Sequence, residues 1–307
     1  MKSLLLCTVA WAALIATAPV LPAQNLAGDE ALSKTLIPGE DWELVAGGYQ
    51  FTDALCADAA GSLYFTDVAR GTNVIRVTPG GHIGSFLGDA KGVSGLKFGP
   101  DGRLYACQGP ARRVIAIDVN SGTITVLATN VQPNDLVVSR AGNIYITETG
   151  KKQVTLITTQ GVVRAVAQGI NAPNGISLSP DQGTLAVSEY NGTNVWAFRV
   201  DADGGLSHGD RYMTLRAPAD KPHVANGDGM TTDTQGRWYV TSAVGIQVFD
   251  ATGRHSGVIA RPQNKQVVSV AFAGPGLNYL HVACGDRIYR RKTQATGALF
   301  FLPAKQQ

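Results

Sequence analysis

Apolar and polar residues alternate with a period of two in many short runs of this 307-residue chain. The runs RRVIAIDV at 112–119 and TITVLAT at 123–129 are examples, and the turn residues Asn120, Ser121 and Gly122 separate them. Alternation of this kind, bounded by Gly, Asn and Asp, is typical of strands joined as hairpins. The pattern therefore predicts a chain built from short antiparallel strands.

One strand-turn-strand unit recurs six times along the chain. The second residues of the six copies are Asp53, Ser94, Asn134, Asn174, Asp228 and Ser269. Their spacing is 41, 40, 40, 54 and 41 residues, so the fourth unit carries an insertion of about fourteen residues. Each unit continues with a second alternating pair of strands. Four strands per unit and six units predict an all-β fold, a six-bladed β-propeller of four-stranded blades. A parallel β-solenoid would need shorter and more uniform coils, and an α/β barrel would need helical segments between the strands.

The ends of the chain predict three parts: a signal peptide at 1–23, a linker at 24–37 and the propeller at 38–307. The first part has one Lys, an apolar run from Leu4 to about Val20 and a small-residue cleavage site at Ala23. An uncleaved membrane anchor is the alternative. We expect an exported protein, periplasmic or secreted, with no membrane contact after cleavage. An apolar strand within 42–52 is expected to pair with the last blade, because an open fan of blades would leave sheet edges exposed.

Composition agrees with a β-rich exported protein that does not bind nucleic acid. The chain has 36 Gly, and only 16% of its residues are charged. The formal net charge is +3, and no basic run is longer than 290–292, which argues against a nucleic-acid partner. Cys56, Cys107 and Cys284 show no disulfide or zinc spacing, so we expect buried thiols. The oligomeric state stays open.

The six equivalent residues of the repeats are the candidate functional residues. The innermost strand of each propeller blade lines the central channel, so these six side chains should converge near one axis. Two are Asp, two are Asn and two are Ser. Opposed carboxylates in a partly dehydrated channel repel each other unless a cation lies between them. Donors that are all oxygen atoms favour a hard ion, Ca²⁺ first, with Mg²⁺ as a further possibility. The alternative is that these residues cap turns and hold channel water.

Several stretches resemble the regucalcin and gluconolactonase family of six-bladed propellers. They include PNDLVV at 133–138, APNGISLSPDQGTLAVSE at 172–189 and GDGMTTDTQGRWYV at 227–240. The resemblance runs from about residue 40 to 298. It implies one divalent cation at the axis, with Ca²⁺ first and Mg²⁺, Mn²⁺ or Zn²⁺ as alternatives. Its implied ligands are Asn134, Asn174, Asp228 and, from the first blade, Asp53.

The chain departs from the family pattern at two positions near this site. Family members commonly carry Glu where this chain has Asp53, which is shorter by one C–C bond, about 1.5 Å; Asp53 would bind directly or through a water. Sugar-lactone hydrolases of the family often carry Arg just before the PND Asn, where this chain has Gln132, so an anionic sugar acid is a less secure substrate. Gln132, Glu148 and His223 are further candidates for substrate contact, together with Asn134. A solvated loop carboxylate and an ordinary loop His are their alternatives.

The resemblance implies a metal-dependent lactonase that acts on a small lactone or related ester. Asp228 would be the general base, with Asp53 as a second carboxylate for that role, while Asn134 and Asn174 fix the ion and orient the substrate. The sequence contains no Gly-x-Ser-x-Gly elbow and no HExxH motif. Two alternatives remain open: a noncatalytic ligand- or protein-binding propeller with a structural channel ion, and a phosphotriesterase or esterase on the same site.

Overall fold

The computed structural model describes residues 30–302, and these form six four-stranded antiparallel sheets around a central axis. The signal peptide and the start of the linker predicted from the sequence lie outside this range. The prediction of a six-bladed β-propeller is confirmed. No helix among the described residues is long and apolar enough to cross a membrane.

The first three blades take their strands in chain order after an N-terminal strand, β1 (Glu43–Gly47). Blade 1 contains β2 (Thr52–Ala57), β3 (Leu63–Asp67), β4 (Asn73–Val77) and β5 (Ile83–Gly88). Blade 2 contains β6 (Val93–Phe98), β7 (Leu104–Gln108), β8 (Arg113–Ile117) and β9 (Ile124–Thr129). Blade 3 contains β10 (Leu136–Val138), β11 (Ile144–Glu148), β12 (Gln153–Ile157) and β13 (Val163–Gln168).

The last three blades follow the same plan, except that the sixth blade borrows its outer strand. Blade 4 contains β14 (Pro173–Leu178), β15 (Thr184–Glu189), β16 (Asn194–Val200) and β17 (Leu206–Thr214). Blade 5 contains β18 (Met230–Thr232), β19 (Trp238–Ser242), β20 (Gly245–Phe249) and β21 (His255–Ile259). Blade 6 contains β22 (Val267–Ala273), β23 (Tyr279–Cys284), β24 (Arg287–Lys292) and β1.

The ring closes through β1, which pairs with β24 in antiparallel register. Glu43 lies opposite Arg290, and their side chains form an ion pair of 2.8 Å. The predicted closure by N- and C-terminal strands is confirmed. Because β1 covers the outer side of β24, the last blade has four strands like the others and the ring has no gap.

The first strand of each blade lines the axis and contacts the first strands of both neighbouring blades. The second strands are buried along their length, as in β3, β7 and β11, because they pack between adjacent blades. The outer strands alternate or are exposed, as in β9. Cys56, Cys107 and Cys284 are free and buried, as the sequence predicts.

Part of the segment predicted as a linker is packed against the propeller. A four-residue helix, α1 (Glu30–Ser33), is followed by Leu36, which forms a bridge with Thr293. Leu32 and Leu36 are fully buried and join the core between blades 5 and 6. Residues 30–36, which the sequence assigns to the linker, are thus packed against the propeller. Two leucines four residues apart bury enough apolar surface to hold this stretch in place.

Antiparallel strands give the propeller two distinct ends. The first strand of each blade begins at the end that we call the site end, which also carries the turns between second and third strands. At the opposite end, residues 293–302 cross under the axis. Ala298 N bonds to Thr232 O at 3.1 Å, and Gln182 Nε2 bonds to Phe300 O at 2.8 Å. This C-terminal segment lines a cavity of about 40 Å³ at the bottom of the channel.

Candidate metal centre

Four of the predicted site residues lie where inner strands begin, at the site end of the channel. Asp53 and Asn174 are the second residues of β2 and β14, while Asn134 and Asp228 just precede β10 and β18. Each residue belongs to a different blade, and the inner strands of those blades meet around the axis. The four side chains therefore surround the mouth of one channel.

Each of the four side chains keeps at least one oxygen without a protein partner among the described residues. Asp53 Oδ1 accepts a bond from Ala54 N at 2.7 Å, and Asp228 Oδ1 accepts one from Gly229 N at 3.0 Å. These bonds fix one oxygen of each carboxylate and leave the other without a hydrogen-bond partner within residues 30–302. Within residues 30–302 the amide oxygens of Asn134 and Asn174 accept no hydrogen bond. The arrangement can offer oxygen donors to a ligand.

The two serines of the repeat position serve the backbone instead. Ser94 Oγ donates to Asn134 O at 2.7 Å, and Ser269 Oγ accepts from Leu55 N at 2.9 Å. Both bonds join adjacent blades, so the serines tie neighbouring inner strands together. The six equivalent positions thus divide into four with an open oxygen and two that hold the backbone.

Close packing of the inner strands fixes where these residues lie. A Cβ added at Gly175 would overlap the carbonyl oxygen of Asp228, and one added at Gly229 would lie 2.7 Å from Val268 O. Both contacts are too short for any side chain. Glycine therefore lets the strand after Asn174 approach Asp228, and it lets the strand after Asp228 approach the next blade.

A second set of hydroxyl groups holds the candidate ligands from behind, and it escaped the sequence analysis. Thr147 Oγ1 donates to Asn174 O at 2.6 Å, and Ser188 Oγ donates to Asp228 O at 3.0 Å. Each hydroxyl comes from the second strand of the preceding blade. The sequence contains a signal for this set, because the position is hydroxyl-bearing in four repeats: Thr66, Thr147, Ser188 and Thr241.

Two ionisable side chains below the ring were also missed. Asp135 follows Asn134, and its Oδ1 lies 2.9 Å from where a Cβ on Gly95 would be. Lys97, on the inner strand β6, donates from Nζ to Leu55 O at 3.4 Å. A single sequence gives no reason to place either side chain in the channel, because their neighbours in the repeats are mostly apolar or small.

The channel makes its carboxylates hard to ionise. Loss of hydration raises the pKa of Asp53 to about 7; the Ala54 amide opposes the shift, Asp135 adds to it and Lys97 reduces it. The pKa of Asp228 is raised well above its usual range, first by loss of hydration and then by repulsion from Asp53 and Asp135. Desolvation also raises the pKa of Asp135, while Lys97 lowers it.

The residues present fit a divalent cation. Asp53, Asp135 and Asp228 carry three negative charges when ionised, and Lys97 carries one positive charge, so two negative charges remain uncompensated. A divalent ion neutralises two charges, and carboxylate and amide oxygens suit a hard ion. Among residues 30–302 no three side chains of the His, Cys, Asp and Glu types form a metal-binding group. The predicted set contains two carboxylates and two amides, so it does not depend on such a group.

Gln132 and Glu148 lie beside the ring but differ in what they can contact. The side chain of Gln132 is exposed, and its Oε1 lies 3.3 Å from where a Cβ on Gly150 would be. Glu148 is only 1% exposed and accepts bonds from Gln132 N at 2.6 Å and Thr155 Oγ1 at 2.5 Å. Lys151 Nζ also lies 2.7 Å from Glu148 Oε1.

The burial of Glu148 rules out the alternative of a solvated carboxylate and argues against direct substrate contact, which stays a prediction. Burial alone would raise the pKa of Glu148, but bonds from Lys151, Thr155, Gln132 and Gln153 hold it below the usual range. The carboxylate is enclosed and its oxygens are engaged. Glu148 positions the backbone of Gln132, two residues before Asn134.

His223 lies in the long connection between β17 and β18, at the site end and five residues before Asp228. Its side chain is exposed. The insertion seen in the fourth repeat thus lengthens β17 to nine residues and enlarges the loop beside the channel mouth. Substrate contact by His223 stays a prediction.

The fold places this chain in the class of six-bladed β-propellers. The chain belongs to one family of that class: the sequence model of the SMP-30/Gluconolactonase/LRE-like region matches residues 52–285. The match begins at the first inner strand and ends in the last blade. The resemblance inferred from the sequence motifs is confirmed.

A gluconolactonase and a pentonolactonase are similar to this chain in sequence. The chain is 25% identical over 230 residues to a gluconolactonase of Zymomonas mobilis subsp. mobilis, and this alignment covers 67% of this chain and 64% of that protein. It is 28% identical over 205 residues to a pentonolactonase of Haloferax volcanii, and this alignment covers 63% of this chain and 68% of that protein. The chain thus spans about two thirds of the length of these relatives.

A solved structure shows the same fold. The calcium-binding protein regucalcin of Agrobacterium tumefaciens superposes with a TM-score of 0.71 at 16% identity. The superposition covers 86% of this chain and 98% of the other.

Proposed function

We propose that this protein is a divalent-metal-dependent hydrolase of lactones. The observation that supports the proposal is that Asp53, Asn134, Asn174 and Asp228 each lie at the start of an inner strand. Each keeps a side-chain oxygen that has no hydrogen-bond partner among the described residues. The names of its relatives, a gluconolactonase and a pentonolactonase, support a sugar lactone as the substrate class.

In this proposal Asp53, Asn134, Asn174 and Asp228 hold the cation, Ca²⁺ first, with Mg²⁺, Mn²⁺ or Zn²⁺ as alternatives. When bound, the cation supplies Lewis-acid polarisation of the ester carbonyl. Asp228 accepts the proton of the attacking water at its open oxygen, while Gly229 N keeps the other oxygen fixed. Asn134 sits at the channel mouth, where its amide can orient the substrate.

The test is hydrolysis by metal-stripped protein with each of the four cations added in turn. The substrates are aldonolactones, aryl esters and a phosphotriester, so that the bond cleaved is identified as well. Metal-stimulated turnover of lactones supports the proposal. Turnover confined to the phosphotriester or the aryl esters supports the esterase alternative, and binding without turnover supports a noncatalytic propeller.

Asp228→Asn tests the proton-accepting role directly. The amide can still occupy the ligand position but cannot accept the proton, so we expect hydrolysis to fall below about a tenth of the wild-type rate at saturating metal. Asp101→Asn, at the opposite end of the propeller, is the matched control. Retention of more than that fraction by Asp228→Asn refutes its role as general base.

We also propose that the protein is exported, on the sequence of residues 1–23 alone. The measurement is the N-terminal sequence of the protein recovered from the culture medium or periplasm. A mature protein that begins at Gln24 supports cleavage after Ala23, and one that retains residues 1–23 in a membrane fraction supports the anchor.

A further inference from the structure

Lys97 is a cation inside a channel that otherwise collects acids. It lies on the inner strand of blade 2, three residues after Ser94, and its Nζ reaches across to Leu55 O of blade 1. Leu55 follows Asp53 by two residues, so the ammonium lies under the first-blade ligand. The side chain also lines the small cavity that the C-terminal segment closes from below.

Among the described residues the ammonium forms no direct ion pair, but two acids lie near it along the inner strands. Leu55, whose carbonyl oxygen accepts its hydrogen bond, follows Asp53 by two residues, and Asp135 Oδ1 lies 2.9 Å from where a Cβ on Gly95, two residues before Lys97, would be. The cavity of about 40 Å³ beside Lys97 has room for a water molecule that can solvate the ammonium. Lys97 is thus placed to act through its field rather than through one contact.

We propose that Lys97 is a built-in counter-ion of the channel, which stabilises the metal-free protein and weakens the binding of the divalent cation. The inference rests on the proposed metal site. Asp53, Asp135 and Asp228 repel one another when they are ionised in a dehydrated channel, and one fixed positive charge nearby reduces that repulsion. The same charge repels a cation bound at the ring. Lys97 therefore lowers the affinity for the cation and raises the stability of the metal-free protein.

A purely structural role for the Lys97 side chain makes a different prediction. Its aliphatic stem lines the cavity together with Phe98, Phe272 and Phe301, and packing of this kind is unaffected by loss of charge. Lys97→Met keeps a long unbranched stem and removes only the ammonium. If Lys97 merely packs, the variant binds metal as the wild type does.

The experiment measures two quantities on wild type and Lys97→Met. Calorimetric titration of metal-stripped protein with Ca²⁺ gives the dissociation constant, which we expect to fall by about tenfold or more, because a unit charge is removed near a divalent ion at low effective dielectric. Thermal unfolding in chelator gives the melting temperature without metal, which we expect to fall by several degrees. Saturating Ca²⁺ should abolish that difference.

Two variants serve as controls. Lys97→Arg keeps the charge, so both quantities should stay near the wild-type values. Lys152→Met removes an exposed lysine at the site end that has no ion pair within residues 30–302, so it separates the effect of Lys97 from a general loss of positive charge. If Lys97→Met folds only when Ca²⁺ is present, that result supports the inference. If it folds under neither condition, Lys97→Gln is measured by the same criteria.

The outcomes separate this inference from the proposed function. A wild-type protein that binds Ca²⁺, with a Lys97→Met dissociation constant within about twofold of it or weaker, overturns the role of Lys97 and leaves the metal site intact. A wild-type protein that binds none of Ca²⁺, Mg²⁺, Mn²⁺ and Zn²⁺ overturns the metal site and with it the effect of Lys97 on affinity.

Discussion

Replacing Asp53 by Asn should make the metal-free protein more stable at alkaline pH while impairing its response to metal. Asn has the same shape as Asp and can still accept the bond from Ala54 N through Oδ1. What it removes is one of the negative charges that repel each other in the channel. The residue proposed to bind metal is thus a residue that weakens the fold when metal is absent.

The magnitude follows from the pKa of Asp53, which is raised from 3.8 to about 7. The folded protein holds this proton more tightly than the unfolded chain, so the free energy of unfolding falls as pH rises from about 4 to about 7 and stays low above that. This rise in pKa corresponds to a loss of stability of at most about 4 kcal/mol at pH 8.

The assay is urea or thermal unfolding in chelator at pH 5 and pH 8. We expect Asp53→Asn to be more stable than wild type at pH 8, by about 5 °C or more in melting temperature, with a smaller advantage at pH 5. Added Ca²⁺ should stabilise wild type more than the variant. An Asp53→Asn protein that is less stable than wild type in chelator at pH 8 would falsify the reasoning.

Asp250, a surface carboxylate, should change the stability with pH in the opposite direction, and it serves as the control. Burial alone would raise the pKa of Asp250, but bonds from Thr252 and Arg254 lower it to about 2. Its ionised form therefore contributes stability above pH 4 that is lost as pH falls toward 2. Asp250→Asn should reduce stability at pH 8 and leave metal binding unchanged.

Two further substitutions test how the site is held. Glu148→Gln should lower the free energy of unfolding by about 2 kcal/mol, because the ion pair with Lys151 is lost and buried donors lose their partner. KM and metal affinity should stay unchanged. A raised KM at an unchanged melting temperature would instead support Glu148 as a substrate contact. Gly175→Ala should weaken metal binding by about tenfold or more, because the new Cβ must displace the backbone of Asp228, and calorimetry gives the value. Gly88→Ala, with no heavy atom within 4 Å of its added Cβ, should match wild type, and equal affinities for all three proteins would contradict the packing argument.

Much of the fold was predictable because repetition makes local signals add up. Any one unit, such as residues 93–108, is only a strand, a turn and a strand. Six copies at nearly constant spacing can bury their faces only by packing side by side around an axis, so the repeat determines the number of blades. The same repeat aligns Asp53, Asn134, Asn174 and Asp228, because equivalent positions in a ring must converge.

The sequence by itself determined the six blades, their strand order, the closing strand and the four candidate ligands. Only the tertiary structure decided which side chains share an environment across blades: that Glu148 is enclosed under Gln132, that Lys97 lies beneath Asp53, and that residues 30–36 and 293–302 pack onto the ring. The physical reason is the distance along the chain over which each kind of interaction acts. Patterns of period two and forty arise from backbone geometry and repetition, whereas burial and charge proximity depend on contacts between residues far apart in the chain, which have no period to reveal them.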